Sequence, residues 1–533
     1  MLDWGSSTSS LLASLSSLLR RGLGNRITTF AILHATSEPR QLLQAHPANP
    51  TEIHIGLIYD PEHAFRLVDH GPNVDDTDRD AAEQFRDFWG EKAELRRFKD
   101  GRIIESVVWD VKTSDERAHV PSFIVRHVLG RHFGVAESAI QTFQASFDSI
   151  LRLPESISCR YPASSLAAGF KAAITAFDQL VKSIKAFDEE LPLAVLNVSA
   201  SSEYLRYTSV FSPVPHSSTH GYMPSMEIVI EFEKSAKWPD DLRAIQHMKL
   251  AFFERISVLL MGSIVGLKAT VVIGDGSCSS ELHDQAKLEI VTPQGWAFSA
   301  RLWHDREDTL LGRIIDSKPH IPQHVAWKAE ANGKEIQQAL QAREIYTRRF
   351  IHAPRHHRAI ASLCHQFPAY AGTVRLVKRW LSSHWLLHGH VTEEAVEIIC
   401  ASFFPCVSKL HASGTAATSS ANLPGSKERG FSVVVEFLKG WRWEDGIFIQ
   451  LYGASDNLPE VPNVGIVRSK SGVWRLSTDA DKDGRMWTSI GPDIVAANRI
   501  RALANATWDH LRGMENGTLD VKVRCCHINL GTY

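Results

Sequence analysis

Cysteine is scarce in this chain and follows no recognisable pattern. Seven cysteines occur among 533 residues, and no pair of them has the spacing Cys-x-x-Cys. Because their number is odd, they do not suggest a disulfide framework, and such usage is typical of a protein in a reducing compartment.

Long apolar runs and an excess of one charge are also missing. No run approaches the length that a bilayer span needs, so we expect no membrane partner. Lysine and arginine number 58 against 60 acidic residues, for a net charge of −2, which gives no global electrostatic case for nucleic acid. The serine-rich opening has no basic region, and its leucines Leu11, Leu15 and Leu19 are spaced as in an amphipathic helix rather than a signal peptide.

Several motifs of catalysis are absent or incomplete. No Gly-x-Ser-x-Gly occurs, so the sequence does not support serine hydrolase chemistry. The segment Gly274-Asp275-Gly276-Ser277 lacks the lysine of a phosphate-binding loop and is typical of a hairpin turn. A small-molecule substrate is therefore not expected.

Candidate metal sites are also incomplete. His384, His388 and His390 lie close together, but they belong to no His-Glu-x-x-His motif, and no cysteine is nearby in the sequence. The segment 479–484 begins like a calcium-binding loop, yet Ile490 stands where the bidentate glutamate is required. We expect no metal ion and no cofactor.

What the sequence does contain is an α+β pattern long enough for three or four domains. Hydrophobic residues make up 44% of the chain, which permits a large core. Helical patterns cover about 333–404 and 490–512, and an acidic loop is expected over 70–80. Strands are predicted at 53–60, 93–98, 103–111, 191–200, 226–233, 269–274, 288–292, 296–304, 431–438 and 446–453.

The segment 368–404 is typical of two helices joined by a short turn. Gly389 suits the end of the first helix, and Thr392 is predicted to cap the second. Arg375, Lys378 and Arg379 share one side of the first helix, opposite its apolar face. We therefore expect these three cations to lie on an exposed face that binds phosphate or a protein partner.

Two basic clusters interrupt the neutral chain. Between Arg343 and Arg379 there are eight cationic side chains and a single acid, so the local charge is +7; Arg348, Arg349 and Arg355 belong to this run. A local basic surface of this kind is what a phosphate backbone or an acidic partner requires.

The second cluster is smaller and lies where a strand, a turn and another strand are predicted. Arg96, Arg97, Lys99 and Arg102 fall within seven residues around the dipeptide Asp100-Gly101. They are candidates for contact with RNA phosphate or with an acidic loop.

Three long strings resemble one known family, in the same order along the chain. They are FRDFWGEKAELRRFKDGRIIESVVWD at 85–110, EFEKSAKWPDDLRAIQHMKLAFF at 231–253, and VRLVKRWLSSH at 374–384 with EEAVEII at 393–399. These strings resemble the nucleolar RNA-associated protein family, Nrap, whose members are components of the small-subunit processome. The resemblance extends from about residue 50 to about residue 512.

The resemblance implies a domain arrangement and a fold. We expect a degenerate nucleotidyltransferase-like domain followed by a helical domain like those of poly(A) polymerases and oligoadenylate synthetases, with added strands. The expected boundaries are 1–50 for the tail of a preceding domain, 51–330 for the nucleotidyltransferase-like domain, 331–470 for the helical domain, and 471–533 for a truncated C-terminal domain.

An active nucleotidyltransferase needs Gly-Ser on a turn, followed by two carboxylates at i and i+2 on one strand face, where they hold two metal ions. The turn that we select is Gly101-Arg102, and the strand after it carries Asp110 with Lys112 at the partner position. A lysine there would repel the metal ions. Glu231 and Glu233 also have the spacing i and i+2, but they are expected on an exposed strand face.

The leading hypothesis is therefore a non-catalytic scaffold, with no catalytic residues. The resemblance implies early assembly of the small ribosomal subunit in the nucleolus, together with contact to pre-ribosomal RNA and to small-nucleolar ribonucleoprotein and other processome proteins. The alternative is an active enzyme that adds nucleotides to RNA.

Overall fold

The computed structural model contains two compact units of helices and strands. The residues described below are 8–34, 53–60, 62–73, 79–99, 101–111, 114–142, 144–153, 169–215, 225–274, 282, 284–316, 326–404, 423–452, 472–484, 486–489 and 491–515. The first unit combines Met1–Ser149, Phe367–Thr373 and Val407–Val433, and the second contains Ile150–Gln366, Val374–Cys406 and Val434–Tyr533.

The first unit contains small antiparallel sheets and helices. Strands β1 and β2 pair with each other, and β3, β5 and β4 form a sheet in that order, with β4 at its edge. The elements are α1 (Thr8–Leu23), β1 (Ile27–His34), β2 (Ile53–Tyr59), β3 (Val68–Asn73), α2 (Arg79–Trp89), β4 (Ala93–Arg97), β5 (Ile103–Val108), α3 (Ser114–Arg117), α4 (Val120–Phe133) and α5 (Gln144–Leu151).

The core of this unit is built by the amphipathic N-terminal helix. Leu15, Leu19 and Leu23 of α1 are buried at successive turns, and they pack with α2, α4 and β5. At Gly22 a side chain would bring its Cβ to 2.9 Å from Val128, so glycine permits the close approach of α1 and α4. The leucine spacing thus correctly predicts an amphipathic helix.

The second unit is organised around one mixed sheet with the strand order β6-β7-β10-β9-β8. Strands β7 and β10 run parallel, whereas the other neighbours are antiparallel. The elements up to residue 316 are α6 (Phe170–Lys185), β6 (Val195–Ala200), β7 (Met226–Phe232), α7 (Leu242–Ser263), β8 (Lys268–Ile273), β9 (Ala286–Val291), β10 (Ala297–Trp303) and α8 (Arg306–Asp316).

A helical region follows the sheet. It begins with α9, which continues through a π-helix at Thr347–His352 into α10. The remaining elements are α9 (Ala326–Tyr346), α10 (Ala353–Gln366), α11 (Pro368–Ser383), α12 (Glu393–Ala401), α13 (Lys427–Gly440), β11 (Ile447–Ile449), β12 (Leu476–Thr478) and α14 (Ile494–Glu515). Helices α5, α11 and α13 are each divided between the two units.

Most of the predicted elements are confirmed, including the helix pair α11 and α12 and the hairpin β4–β5. Thr392 caps α12, since its hydroxyl accepts a hydrogen bond from the Ala395 amide at 3.2 Å. The end of α11 is different from the prediction: Trp385 and His388 have positive φ, whereas Gly389 does not.

The strand predicted at 431–438 is wrong, because these residues belong to α13. Phe431, Val434, Val435 and Leu438 are its buried positions, which is the spacing of a helix face. The run of β-branched residues suggested a strand, but the helical period of the buried positions decides the structure.

Two predictions in the first unit are also corrected. The apolar run 53–60 predicts a buried strand, but β2 alternates between half-buried and exposed positions. The loop predicted over 70–80 is partly regular structure, since His70–Asn73 belong to β3 and α2 begins at Arg79. Asp76 and Asp78 lie outside the described residues, as does most of the polar segment 411–430.

Among the described residues, no helix combines the length and apolarity that crossing a membrane would require.

A largely buried ion pair within the first unit gives a pH-dependent contribution to stability. Lys427 Nζ lies 2.5 Å from Asp148 Oδ1, and His119 Nε2 lies 3.1 Å from Asp148 Oδ2. Burial alone would raise the pKa of Asp148, but hydrogen bonds from His119 and Lys427 outweigh it and lower that pKa to about 2.

We predict that Asp148→Asn lowers the free energy of unfolding by about 2 kcal/mol at neutral pH. Because the folded pKa lies below the ordinary value, this contribution is present above about pH 4 and is lost as the pH falls towards 2. Denaturant unfolding of both proteins at several pH values measures the difference. Asp87→Asn, at an exposed position of α2, is the control and should change stability by less than about 0.5 kcal/mol. A difference independent of pH would contradict the assignment.

Candidate functional site

The cations predicted to form an exposed face on α11 are mostly buried. Lys378 has no exposed surface and Arg375 is 2% exposed, while Arg379 is half-buried. The prediction of an exposed binding face is therefore wrong for Arg375 and Lys378. Helical periodicity identifies residues that share a side, but it does not show which acidic groups from distant parts of the chain cover that side.

Lys378 lies among three carboxylates. Its ammonium donates to Glu397 Oε1 at 2.8 Å and to Glu203 Oε2 at 2.9 Å, and it also pairs closely with Glu393. Glu393 and Glu397 occupy successive turns of α12, whereas Glu203 lies in a short 3-10 helix that follows β6. Residues almost two hundred positions apart thus share one cation.

Glu397 is fully buried and is surrounded by further donors. Arg206 Nε lies 3.0 Å from Glu397 Oε2, and the Thr208 hydroxyl donates to Oε1 at 2.6 Å. Arg206 also donates to the Ser201 carbonyl at 2.6 Å. We call the set Glu203, Arg206, His356, Lys378, Glu393 and Glu397 the buried ionic cluster.

A directed chain of hydrogen bonds fixes the tautomer of His356. The Trp487 indole can only donate, and it donates to the Tyr452 hydroxyl at 2.9 Å. That hydroxyl is then free to donate to His356 Nδ1, which lies 3.0 Å away. The proton of a neutral His356 must therefore be on Nε2, which donates to Glu397 at 2.7 Å.

The pKa shifts agree with this assignment. Burial lowers the pKa of His356 and outweighs its hydrogen bond to Glu397, so the imidazole is neutral at physiological pH. Burial alone would raise the pKa of Glu397, but Arg206, Lys378 and His356 hold it well below its usual range. Burial likewise opposes the charge of Arg206, yet Glu397 and the other nearby glutamates raise its pKa.

The three carboxylates of the buried ionic cluster have metal-site geometry. One oxygen from each of Glu203, Glu393 and Glu397 lies within 4.8 Å of the other two, and they form the one such group found among the described residues. An ion at the centre of that triangle would be at most about 2.8 Å from each oxygen, close to calcium–oxygen distances. The ammonium of Lys378 contacts all three glutamates, so it occupies the position that a cation would take.

The rest of the basic run 343–379 also meets internal partners. Arg348 lies over the Trp487 ring, Arg355 lies over the Tyr452 ring, and Arg349 comes within 4.0 Å of Asp284. Arg375 donates to the backbone carbonyls of Val210 and Leu151. Arg379 lies 5.2 Å from the centre of the Phe211 ring. Most cations of this run thus contact aromatic rings, carbonyls or carboxylates within the second unit.

A second buried lysine also belongs to the interior of that unit. Lys249 of α7 is fully buried, and its ammonium lies 2.8 Å from Glu307 and 3.2 Å from Asp284. Burial raises the pKa of Glu307, while the carboxylates of Asp284 and Glu307 raise that of Lys249 against the effect of burial. The sequence analysis missed this group because its members are spread over three separate parts of the chain.

The smaller basic cluster, a candidate for contact with RNA phosphate or an acidic loop, is exposed. Arg96, Arg97 and Lys99 are all exposed at the end of the hairpin β4–β5. Glu94 is the acid that pairs with Arg96, at 3.2 Å, and both side chains of that pair face solvent. Leu95 is 58% exposed on the same edge strand. The hairpin thus presents exposed basic side chains, and its contact with RNA stays a prediction.

One face of β7 carries the acidic residues Glu227 and Glu231, separated by Val229. The turn after β6 contacts the start of β7, since the Ser201 amide donates to the Glu227 carbonyl at 3.1 Å. At i+2 from Glu227 the strand carries Val229, and the adjacent parallel strand places Arg301 beside Val229. Next to the turn, this face of β7 therefore carries one carboxylate, that of Glu227. The next side chain on the face is the apolar Val229, and its neighbour on β10 is the buried Arg301.

Glu231 and Glu233 lie at the opposite end of β7. Glu233 accepts a hydrogen bond from the Ala194 amide at the start of β6, far from the turn after that strand. Burial raises the pKa of Glu231 despite the nearby cations Lys234 and Arg358. Glu231 is half-buried, so the prediction of an exposed face is wrong for it.

The calcium-like segment is a structural turn. Asp479 accepts hydrogen bonds from the amides of Leu451 and Tyr452, and Asp481 accepts one from Met486. Their carboxylates thus hold the backbone around β12. Lys112 and Ile490 lie outside the described residues.

Glu203, Arg206, His356 and Glu397 were missed by sequence reasoning. The signal available for Glu397 was its place in the string EEAVEII, where it lies among buried positions of an apolar helix face. A charged residue at such a position is almost never fully buried unless it is paired. No comparable signal exists for Glu203 or Arg206.

The architecture defines the class of protein as one with a nucleotidyltransferase-type domain joined to a helical domain of the poly(A) polymerase type. Comparison with protein families gives matches to Nrap protein domain 3 over residues 1–134, to Nrap protein nucleotidyltransferase domain 4 over 146–365, and to Nrap protein PAP/OAS1-like domain 5 over 367–524. The chain belongs to the Nrap family.

These matches separate at 134–146 and 365–367, whereas the sequence analysis expected boundaries near 50, 330 and 470. The turn Gly101-Arg102 and Asp110, where a catalytic motif was sought, lie outside the nucleotidyltransferase match.

Curated relatives support the family. U3 small nucleolar RNA-associated protein 22 of Schizosaccharomyces pombe is 30% identical over 506 residues, covering 93% of this chain and 42% of that protein. Nucleolar protein 6 of Xenopus laevis is 27% identical over 540 residues, covering 96% of this chain and again 42% of the relative. The chain thus spans less than half the length of these relatives. The first relative is named for its association with a small nucleolar RNA and the second as a nucleolar protein, which agrees with the nucleolar location expected from the sequence.

Among solved structures, Terminal uridylyl transferase 4 from Trypanosoma brucei aligns with 65% of this chain and 98% of its own, at 10% identity and a TM-score of 0.30.

We predict that Lys378→Ala converts the buried ionic cluster into a calcium site. Removing the ammonium leaves three neighbouring glutamates with Arg206 as their remaining buried cation, and it should cost about 3–5 kcal/mol. Millimolar calcium should restore part of this loss in the variant and have no such effect on the wild type, as measured by the melting temperature with and without calcium.

The double variant Lys378→Ala/Glu393→Gln is the control, because it removes one ligand and should lose the calcium response. A calcium response of the wild-type chain that Glu393→Gln abolishes would contradict the assigned role of Lys378.

Proposed function

We propose that this chain is a non-catalytic scaffold in the early assembly of the small ribosomal subunit, where it binds pre-ribosomal RNA and processome proteins. The observation that carries the proposal is the sequence of side chains on β7 beside the turn after β6. Glu227 is followed at i+2 by Val229, and Arg301 lies next to Val229 on the parallel strand. Two-metal nucleotide transfer needs a second carboxylate at such a position.

The buried ionic cluster supports the same proposal. The three glutamates that have metal-site geometry already surround the ammonium of Lys378. Glu397 is further neutralised by Arg206. A divalent ion would have to displace buried, hydrogen-bonded cations, which is unfavourable.

The names of the relatives support the assignment of the partner. One relative is named for association with the U3 small nucleolar RNA and the other as a nucleolar protein. We therefore propose pre-ribosomal RNA and small-nucleolar ribonucleoprotein proteins as partners of this chain in the nucleolus.

The hairpin β4–β5 is the proposed RNA contact among the sites predicted from sequence. Arg96, Arg97 and Lys99 are exposed together, so they can approach phosphates without first breaking internal contacts of the kind that hold Arg375 and Lys378. Phosphate neutralisation by such side chains releases counterions and supplies sequence-independent affinity.

We predict that the purified chain does not incorporate labelled ATP, CTP or UTP into RNA in the presence of magnesium or manganese. The reason is the single carboxylate beside the turn after β6. An active poly(A) polymerase assayed in parallel is the positive control. Incorporation that Glu227→Ala or Glu231→Ala abolishes would overturn the scaffold proposal in favour of an RNA nucleotidyltransferase.

We also predict that replacing Arg96, Arg97 and Lys99 together by alanine weakens RNA binding without loss of melting temperature. Each phosphate that is no longer neutralised should reduce the salt slope of log affinity by roughly 0.7–0.9, so the slope of the triple variant should fall by about two units. The measurement is fluorescence anisotropy of labelled RNA at several salt concentrations.

The matched control replaces Lys171, Lys182 and Lys185, three exposed cations of α6, by alanine. Equal losses in both triple variants would mean that only net charge matters, and an unchanged slope in the hairpin variant would exclude the hairpin as an RNA contact.

A further inference from the structure

The end of α11 combines two unfavourable features at one residue. The Leu386 amide donates to the Leu381 carbonyl and the Trp385 amide to the Ser382 carbonyl, at 3.0 Å each. This pair of bonds is a Schellman motif, in which the residue after the helix adopts a left-handed conformation that favours glycine. Here that residue is Trp385, with φ of 60°.

The side chain of Trp385 is also 79% exposed. The motif itself is well formed, because Leu381 and Leu386, the two positions whose hydrophobic side chains commonly accompany it, are both buried. Folding alone would therefore be served by glycine at position 385. A residue that opposes both the backbone preference and the burial preference, in an otherwise well-built motif, is expected where function requires it.

Trp385 is isolated from other exposed apolar side chains within its own segment of the chain, whereas α14 exposes Ile494 and Val495. Within 353–404, all of which the structure describes, Trp385 is the one large apolar side chain that is exposed. Protein docking sites generally present a contiguous apolar patch, whereas a stacked base needs a single accessible ring. Burial lowers the pKa of His384, the residue before Trp385, and the nearby cation Arg499 of α14 lowers that pKa further. His388, in the same loop, is exposed as well.

We propose that Trp385 is a stacking platform for an unpaired base of single-stranded RNA. The exposed ring supplies the aromatic face on which a base can stack. The left-handed backbone at 385 turns the chain directly after α11, so the ring is displayed at the helix end. This inference rests on the proposed RNA-binding function and adds the residue and the chemistry of contact.

The test compares variants of Trp385 in binding to a fluorescein-labelled oligouridylate and to the same ribose-phosphate chain without bases. Trp385→Leu keeps an apolar side chain but removes the ring, and it should weaken binding to oligouridylate by about fivefold or more. Trp385→Phe should retain most of the affinity. Neither substitution should affect binding to the abasic chain, because it offers no base to stack.

Two further variants separate binding from folding. Trp385→Gly should bind oligouridylate as weakly as Trp385→Leu while melting at the wild-type temperature or above it, since glycine relieves the left-handed conformation. Phe448→Leu removes another exposed aromatic ring, 63% exposed on β11, and should leave affinity unchanged.

Equal affinity of wild type and Trp385→Leu for oligouridylate would overturn the stacking role while leaving RNA binding by the chain intact. Failure of the wild type to bind either oligonucleotide would instead overturn the proposed RNA-binding function and this inference with it. If Trp385→Leu binds RNA normally but no longer co-purifies with processome proteins, Trp385 is a protein contact and the proposal is wrong.

Discussion

The negative charge of Glu397 is the constraint on which much of the second unit depends. A carboxylate with no exposed surface must be compensated by nearby cations and hydrogen-bond donors, or it becomes protonated. Here Arg206, Thr208, His356 and Lys378 supply that compensation from separate elements, and the indole of Trp487 acts through Tyr452. Each of these elements has to take its position for the charge to be tolerated. Buried ionic groups add little net stability, but removing one partner is strongly unfavourable, so packings that separate these groups are disfavoured.

The same compensation bears on the chemistry that the fold can support. In a nucleotide-transferring enzyme, carboxylates are held ready for exchangeable metal ions, and cations are held ready for a triphosphate. In this chain, the carboxylates with metal-site geometry contact Lys378 of the protein itself. Arg301 lies beside Val229 on the face of β7 that is next to the turn after β6. Charges fixed to one another are unavailable to substrate. This arrangement supports the scaffold function that we propose.

A run of basic residues in this sequence therefore does not by itself give a basic surface. In the densest basic run, 343–379, Arg375 and Lys378 are buried. Arg375 donates to backbone carbonyls, and Lys378 pairs with glutamates. The shorter cluster around Arg97 stays exposed, because β4 is an edge strand and its hairpin projects from a small sheet. The exposed loop after α11 carries an aromatic ring instead of a cluster of cations. Contacts with RNA are thus expected at hairpins and helix ends, where side chains have few acidic neighbours from elsewhere in the chain.

The sequence by itself determined the α+β class, the family, the hairpin β4–β5, the amphipathic helix α1 and the helix pair α11–α12, because these follow from periodicity, turn residues and long local strings. Local pattern failed at α13, where β-branched residues suggested a strand, and at Lys378, which was placed in solvent. Only the tertiary structure brought Glu203 and Glu397 to Lys378 and left the ring of Trp385 exposed. The physical reason is that burial and ion pairing depend on contacts between residues far apart in the chain, and no local spacing encodes which distant acid will meet a given cation.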